Sequence, residues 1–402
     1  MYKLPIIEEY EKERKEIKEL CIFGYGILGK VIADLIIDMG IKIKNIYDNS
    51  SSKWGLKYRG IEVVSPNNIT DKSVPIVISV YEYMEEIAVQ LQKIGVKNIL
   101  PYYFCFYGQK IDKEFYWNND SSIQEAMFIQ KEKSMNKEKS IILQCLDIAI
   151  TEKCSLKCRD CANLMQFYKN PREGDYNLNE KALNNLFNAV DLIGRVSILG
   201  GEPFLCNDLH KYVSLCCKSK KIVNILIVTN GTIIPNNEVI NEIKKDDRAL
   251  ISISDYGNTS KRKKEIIKLS DEKNFKISIS RRDGIWRELG KIEYVKKGEE
   301  EIKNKYAICE NKKFLSVKDG RLYRCPFIAN AHSLKAIKEE DVDYIDLANS
   351  EKSVLELRME IKEFLSKPYH KGCQYCAVSG KDAKKIPAAI QIKQPKEYKQ
   401  YI

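Results

Sequence analysis

The spacing of the cysteines gives the first indication of chemistry in this chain, which has 13 cysteines and only 3 histidines in 402 residues. The tightest set is Cys154-Ser-Leu-Lys-Cys158-Arg-Asp-Cys161, a C-x3-C-x2-C run. Three thiolates on one short loop can bind three irons of a cubane cluster and leave the fourth iron open to a ligand. A zinc site is the alternative, but it wants a fourth protein ligand, and no His or Cys follows at suitable spacing. Cys309, Cys325, Cys373 and Cys376 form a second set, the last two as C-x2-C. Four thiolates suit one fully ligated [4Fe–4S] cluster, a four-thiolate zinc site, or plain buried thiols. Of the six others, Cys21 and Cys145 lie in predicted strands and are expected to pack, and Cys105 stands outside any motif. Cys206, Cys216 and Cys217 follow a Gly-Gly-Glu segment, and Cys217 is a candidate hydrogen-atom donor. His210, His332 and His370 show no metal-ligand spacing.

A different chemistry is written near the start. Gly24, Gly26 and Gly29 form G-x-G-x-x-G between an apolar strand and a helix, and Asp48 ends the next strand. That context fits a dinucleotide fingerprint, with Asp48 where a ribose-binding acid is expected. A nucleotide or NAD-like ligand is one expectation there. A structural or docking role is the other.

These residues need elements to carry them. Strands are predicted over 20–23, 42–47, 75–80 and 96–100, alternating with helices over residues 30–39 and 83–94, the last closed by Gly95. A charged helix over 6–20 precedes them. Such alternation predicts a parallel sheet with right-handed crossovers. A second alternation begins at Ile141, with strands over 143–150, 196–199, 222–228, 250–253, 275–280 and 314–317, and a helix over 177–193. Six strands in strand–helix order predict a partial (βα)6 barrel, whose loops after the strands carry the chemistry. Each polar motif falls at such a strand end: the cysteine run, Gly200-Gly201-Glu202-Pro203, Thr229-Asn230-Gly231, Ser254-Asp255 and Arg281-Arg282. The expected organisation is an α/β chain. A Rossmann-like sheet spans 1–115, a linker 116–140, the barrel 141–305 and a small irregular iron–sulfur domain 306–402.

Residues 141–320 resemble the radical SAM superfamily, on Cys154/Cys158/Cys161, Gly200-Gly201-Glu202-Pro203, Thr229-Asn230-Gly231 and Ser254-Asp255. The resemblance implies S-adenosylmethionine (SAM) on the open iron, with Gly200, Gly201 and Glu202 at its amino group and Asn230, Ser254 and Asp255 near its ribose or carboxylate. It also implies a 5′-deoxyadenosyl radical that removes a hydrogen atom from an unactivated carbon. Asp160 departs from the family's common aromatic residue before the third cysteine. Cys309, Gly320 and Cys325 resemble the opening of a twitch or SPASM domain, implying an auxiliary [4Fe–4S] cluster completed by Cys373 and Cys376. The first domain resembles Rossmann-like modules of bacterial glycan pathways.

Together the resemblances imply oxidation of a secondary alcohol on a sugar, cyclitol or nucleotide-sugar, with the auxiliary cluster as electron acceptor. Sugar epimerisation and ribosomal-peptide maturation are the alternatives. Arg281 and Arg282 are candidates to anchor the substrate or assist its deprotonation. A flavodoxin- or ferredoxin-type protein is the expected reductant.

Composition removes other classes. No window approaches 18 consecutive apolar residues, and the first residues lack a signal-peptide core. The expectation is a cytoplasmic protein whose thiols stay reduced. The net charge of +11 is spread among interleaved acids, with one short basic run at Lys261-Arg-Lys-Lys264. Neither nucleic acid nor membrane is expected as a partner.

Overall fold

A computed structural model describes residues 14–80, 83–106, 138–281, 284–376 and 383–401, with short stretches among 2–12 and 110–136. Of the helix expected over 6–20, residues 14–16 are helical, while Glu19 and Leu20 instead open a strand; of the linker expected over 116–140, about half is described, with helical turns at 123–125 and 127–129. The chain divides into two compact units, Met1–Gln130 and Lys131–Ile402. Among the described residues no helix is long and apolar enough to cross a membrane.

The first unit is a parallel sheet of β1 (Glu19–Phe23), β2 (Lys42–Tyr47), β3 (Ile61–Val64), β4 (Ile76–Ile78) and β5 (Ile99–Pro101). The spatial order is β3-β2-β1-β4-β5, with a short antiparallel strand, Lys57–Tyr58, on the outer edge of β3. Leu20, Ile22, Phe23, Ile46 and Val77 are buried on both faces, which explains why β1 and β4 read as continuous apolar runs. Helices α1 (Ile27–Asp38) and α2 (Met84–Ile94) cover the sheet. Gly95 closes α2 at φ 94, where only glycine is unstrained. The strand order reverses on either side of β1, the place where open parallel sheets leave a crevice.

The second unit is built on one eight-stranded sheet. Its parallel members are β6 (Ile142–Ala149), β7 (Leu192–Leu199), β8 (Ile222–Thr229), β9 (Ala249–Asp255), β10 (Ile277–Arg281) and, beyond a short strand β11 (Ile285–Arg287), β12 (Phe314–Lys318). The order is β10-β9-β8-β7-β6-β12, extended by antiparallel β13 (Arg321–Tyr323) and β14 (Tyr344–Asp346). Among the described residues β10 and β12 do not pair, so the sheet forms a partial barrel. Helices α3 (Tyr176–Ala189), α4 (Leu209–Lys218), α5 (Asn237–Lys244) and α6 (Lys263–Lys273) connect the first five strands.

Two expectations change here. The helix expected to run to residue 193 stops at Ala189, because Leu192 and Ile193 pair with Ile142 and Leu143 of β6. Sheet pairing overrides the helical spacing. The boundary at 305/306 does not separate two folds either, since β12 lies beyond it and pairs with β6 through Phe314–Val317. The rest of this unit adds α7 (Glu299–Ala307), α8 (Pro326–Ser333) and α9 (Val354–Ser366). Ser353 and Glu356 cap α9 reciprocally. A last strand, β15 (Lys385–Pro387), pairs antiparallel with β11.

Candidate active site

Register divides the partial barrel into two chemical faces. One level joins Ile148, Ile198, Ile227, Ile251 and Ile277 side by side. This face is apolar and packs under the helices. Among the described residues, the opposite face carries every buried polar side chain of the six strands except Thr229: Asp147, Ser197, Asn224, Ser254, Ser278, Ser316 and Lys318. Ser252 and Ser280 lie on it as well, and the Ser278 hydroxyl donates to that of Ser252 at 3.0 Å. The interior surface is therefore rich in hydroxyls toward the C-terminal ends of β9 and β10.

Asp147 sits deeper on the same face, beside Ser197 and Ser316. Burial pushes its carboxyl up to about 6, against the pull of Arg195 and Ser197. The sign follows from where the proton is held. Below pH about 4 the group is protonated whether folded or unfolded, and the full stability is present. As pH rises from 3.8 to about 6, the unfolded chain releases the proton more readily, so stability falls by about 3 kcal/mol and then levels off. Melting temperatures across this range should show that fall in the wild type. Asp147→Asn should flatten it; an unchanged slope would show that another group is responsible.

The cysteine loop leaves β6 at its C-terminal end. Thr151 bridges to Glu173, and the Glu152 amide donates to the Arg172 carbonyl at 2.8 Å. The next loop locks onto it: the Gly201 amide donates to Thr151 and the Glu202 amide to Lys153, both at 2.8 Å. A Cβ on Gly200 would stand 2.2 Å from the Thr151 carbonyl oxygen, and one on Gly201 2.3 Å from that of Lys153. The glycine pair thus lets these two loops touch. The Glu202 side chain is fully buried and accepts from the Thr229 hydroxyl at 2.8 Å and the Asn230 amide at 2.9 Å. Burial raises this carboxyl to about 7, even though Asn230, Thr229 and Phe204 all donate to it. Its carboxylate braces the end of β8. Asn230 in turn reaches the loop, with Nδ2 3.7 Å from the Cys154 sulfur and 3.2 Å from the Ser155 hydroxyl. Ser254 is buried and its carbonyl accepts from Ser260, while Asp255 pairs with Lys263 at 2.6 Å.

Burial is the largest influence on all three loop thiols. It pushes Cys154 to about 12 and Cys158 to about 11, and it raises Cys161. Cys154 is raised further by Cys161, Glu202 and Cys158, so the three sulfurs lie within range of one another's charge. The second set converges in the same way from distant parts of the chain. Cys325 is held well above its ordinary value by burial, then by Cys373, Cys376 and Cys309. Cys373 is pushed to about 12 by burial and is also raised by Cys376 and Cys309. His370 stays neutral, lowered to about 4 by burial, with Nδ1 3.0 Å from the Val342 carbonyl oxygen.

Among the described residues no three His, Cys, Asp or Glu side chains close tightly enough to hold a single metal ion. A lone zinc needs sulfurs about 3.8 Å apart. A cubane gives each thiolate its own iron and accepts a wider set. Three thiols with amide donors on Cys154 and Cys158, and four thiols converging elsewhere, fit such clusters in chemistry and number.

Other expected residues land differently. Cys217 lies at the C-terminal end of α4, where its carbonyl accepts from Arg248 at 2.7 Å. That is the foot of the barrel, where β8 begins, and it is remote from the cysteine loop by the length of the strand. A donor role at the loop does not suit this position. Arg281 pairs with Asp255 through the backbone at the end of β10. Its side chain, and the whole of Arg282, lie outside the described residues. In the first unit, a cleft of about 280 Å³ is lined by Gly24, Asp48, Lys53 and Gln90 among others. Gly29 permits close packing, since a Cβ there would sit 2.0 Å from the Gly24 carbonyl oxygen, and Gly26 faces open space. Both match the fingerprint roles. Asp48 does not: its oxygens already accept from the Tyr25 amide at 2.7 Å, the Ser50 amide at 2.8 Å and Lys53 at 2.9 Å. Burial alone would raise this carboxyl, and those three donors outweigh it and hold it low.

Residues 148–278 match the family described as Radical SAM superfamily. The second unit carries a radical SAM domain. The first unit matches a separate family, described as C2185-like, N-terminal, over residues 16–99. Among curated proteins, GTP 3′,8-cyclase of Clostridium botulinum (strain Okra / Type B1) is 25% identical over 111 residues, 27% of this chain and 34% of that protein. The GTP 3′,8-cyclase of Aliarcobacter butzleri (strain RM4018) is 31% identical over 91 residues, 21% of this chain and 27% of that one. The chain thus spans between about a quarter and a third of the length of the curated relatives it matches. A solved structure of BtrN with AdoMet and 2-DOIA aligns at 15% identity and TM-score 0.36, over 60% of this chain and 94% of BtrN. Streptococcus suis SuiB bound to S-adenosylmethionine aligns at 21% and 0.30, over 49% of this chain and 44% of that one.

Three features of the second unit are not apparent from the sequence. One is the buried pair of Lys318 and Glu152, 2.9 Å apart. Another is Asp147 with Arg195 on the interior face. The third is the run of residues 389–392 beside the cysteine loop, which falls within the segment expected to be an irregular domain over 306–402. The alternation Ile390-Gln391-Ile392-Lys393 is a short strand signal that could have found it.

Proposed function

We propose that this protein is a radical SAM enzyme that oxidises a secondary alcohol of a sugar-like substrate to a ketone. The observation that carries this reading is the convergence of Cys309, Cys325, Cys373 and Cys376, whose thiols act on one another from distant parts of the chain. When bound, SAM on the three-thiolate cluster supplies a 5′-deoxyadenosyl radical, which removes hydrogen from carbon. The alcohol must then lose one proton and one electron to become a ketone. The four-thiol set offers a second cluster site to take that electron, which an epimerase does not require.

This chain's own residues do the positioning. Gly200 and Gly201 bring the second loop against the first, and Glu202 fixes Asn230 beside Cys154. Ser252, Ser254, Ser278 and Ser280 offer neutral hydroxyls that suit a polyol better than an anionic or apolar substrate. Radical generation needs an external reductant, for which a flavodoxin- or ferredoxin-type protein is suited.

The test is anaerobic reconstitution followed by SAM, a reductant and a panel of sugars, cyclitols and nucleotide-sugars in deuterated water. A carbonyl product with one 5′-deoxyadenosine per turnover is expected. Recovery of an alcohol carrying solvent deuterium would identify an epimerase instead. About four irons per chain rather than about eight would remove the electron acceptor from the reading.

A further inference from the structure

We infer that residues 389–392 form a strap on the SAM-cluster loop, in which Gln391 is a positioning residue that holds Cys158 and tunes the cluster's reduction potential. This rests on the cluster reading proposed above.

The strap is built as a strand partner. Gln391 and Cys158 form an antiparallel bridge. The Arg159 amide donates to the Ile390 carbonyl at 2.7 Å, and the Ile392 amide donates to that of Lys157 at 2.9 Å. The Gln391 side chain adds a second layer of contact. Its Oε1 accepts from the Lys157 amide at 2.7 Å, while Nε2 donates to the Ala389 carbonyl at 2.7 Å. These two neighbours settle the orientation of the amide, because a flipped group would set oxygen against the Ala389 oxygen and nitrogen against the Lys157 amide. In the settled orientation, Nε2 lies 3.1 Å from the Cys158 sulfur. The strap is anchored on both sides. Before it, β15 pairs with β11. After it, the Lys396 amide donates to the Gln166 carbonyl at 2.8 Å and the Tyr398 hydroxyl to that of Leu334 at 2.7 Å.

A hydrogen bond to a ligating sulfur eases the added negative charge of a reduced cluster and so raises its potential. Cys158 is buried, whereas Gln391 is exposed, so replacing Gln391 opens no hole in the core. Glutamate keeps an acceptor for the Lys157 amide but withdraws the donor from sulfur. Leucine removes both.

The experiment compares wild type, Gln391→Glu, Gln391→Leu and Lys393→Ala after anaerobic reconstitution. A redox titration follows the electron paramagnetic resonance signal that changes on adding SAM, which reports the cluster with an open iron. Iron release to a chelator is timed in parallel. The potential should fall in both Gln391 variants, further in Gln391→Glu. Iron should leave Gln391→Leu roughly 10-fold faster. Lys393→Ala should match wild type in both measurements. Unchanged potentials in both Gln391 variants, or an equal shift in Lys393→Ala, would overturn the inference. A wild type with no SAM-responsive signal would instead overturn the cluster reading beneath it.

Discussion

Replacing Cys158 with alanine should lower the iron content from about eight to about four per chain and abolish formation of 5′-deoxyadenosine from SAM. The size of the effect follows from the donor set. The loop offers only three thiols, and the structure places no spare donor of that kind within it. Cys158 is the middle one, buried on one side and bound on the other by the Gln391 amide. Alanine therefore removes an iron ligand that no neighbour replaces. Cys373→Ala is the informative contrast: it should also lose about four irons, yet retain SAM cleavage, because its sulfur belongs to the set shared with Cys325, Cys376 and Cys309. Iron and sulfide assays with chromatography of the SAM products measure both. If Cys158→Ala kept full SAM cleavage, the assignment of this loop would fail.

Lys318→Met should destabilise the second unit by about 3–5 kcal/mol. Lys318 and Glu152 are 3% and 4% exposed, and their charged atoms are 2.9 Å apart. The lysine lies at the end of β12, and the glutamate lies two residues before Cys154. Glu152 also accepts from the Ser333 hydroxyl at 2.8 Å and the Arg172 amide at 3.1 Å. Neither of these neighbours carries a charge at the contacting atom that could stand in for the ammonium. Removing the lysine thus leaves a buried carboxylate without its counter-ion, which costs far more than the pair itself contributes. The double variant Lys318→Met, Glu152→Gln should recover most of the loss. Thermal and denaturant unfolding of the four proteins in the cycle would measure this, and a Lys318→Met protein as stable as wild type would refute it.

The two cases also show what the sequence made legible. The barrel strands were legible because β-branched and apolar runs alternated with helical spacing, and the motifs stood at their ends. The cysteine sets were legible because cysteine chemistry is local to the residue type and its spacing. Neither source of information covers pairings between distant segments. Lys318 reads as an ordinary strand-end lysine until β12 is laid beside β6 and brings it to Glu152, 166 residues away. Glu202 shows a related limit. Its motif is visible, but that its carboxylate would be occupied by Thr229 and Asn230 depends on how two loops meet. Asp48 is similar: its position fits the fingerprint, and only the fold reveals Tyr25, Ser50 and Lys53 already on its oxygens. The extent of the helix over 176–189 was misjudged because strand pairing, a tertiary effect, set its end.

The partner of Cys158 is 233 residues away in sequence, and this has a consequence during synthesis. At ordinary translation rates the loop emerges roughly 10–50 s before the residues that complete it. During that interval the three thiols stand on a nascent chain without their flanking strand. Any cluster assembled in that interval would form without the Gln391 contact to Cys158. A cell short of oxygen would tolerate the wait better than an aerated one, in which those exposed thiols would be open to oxidation.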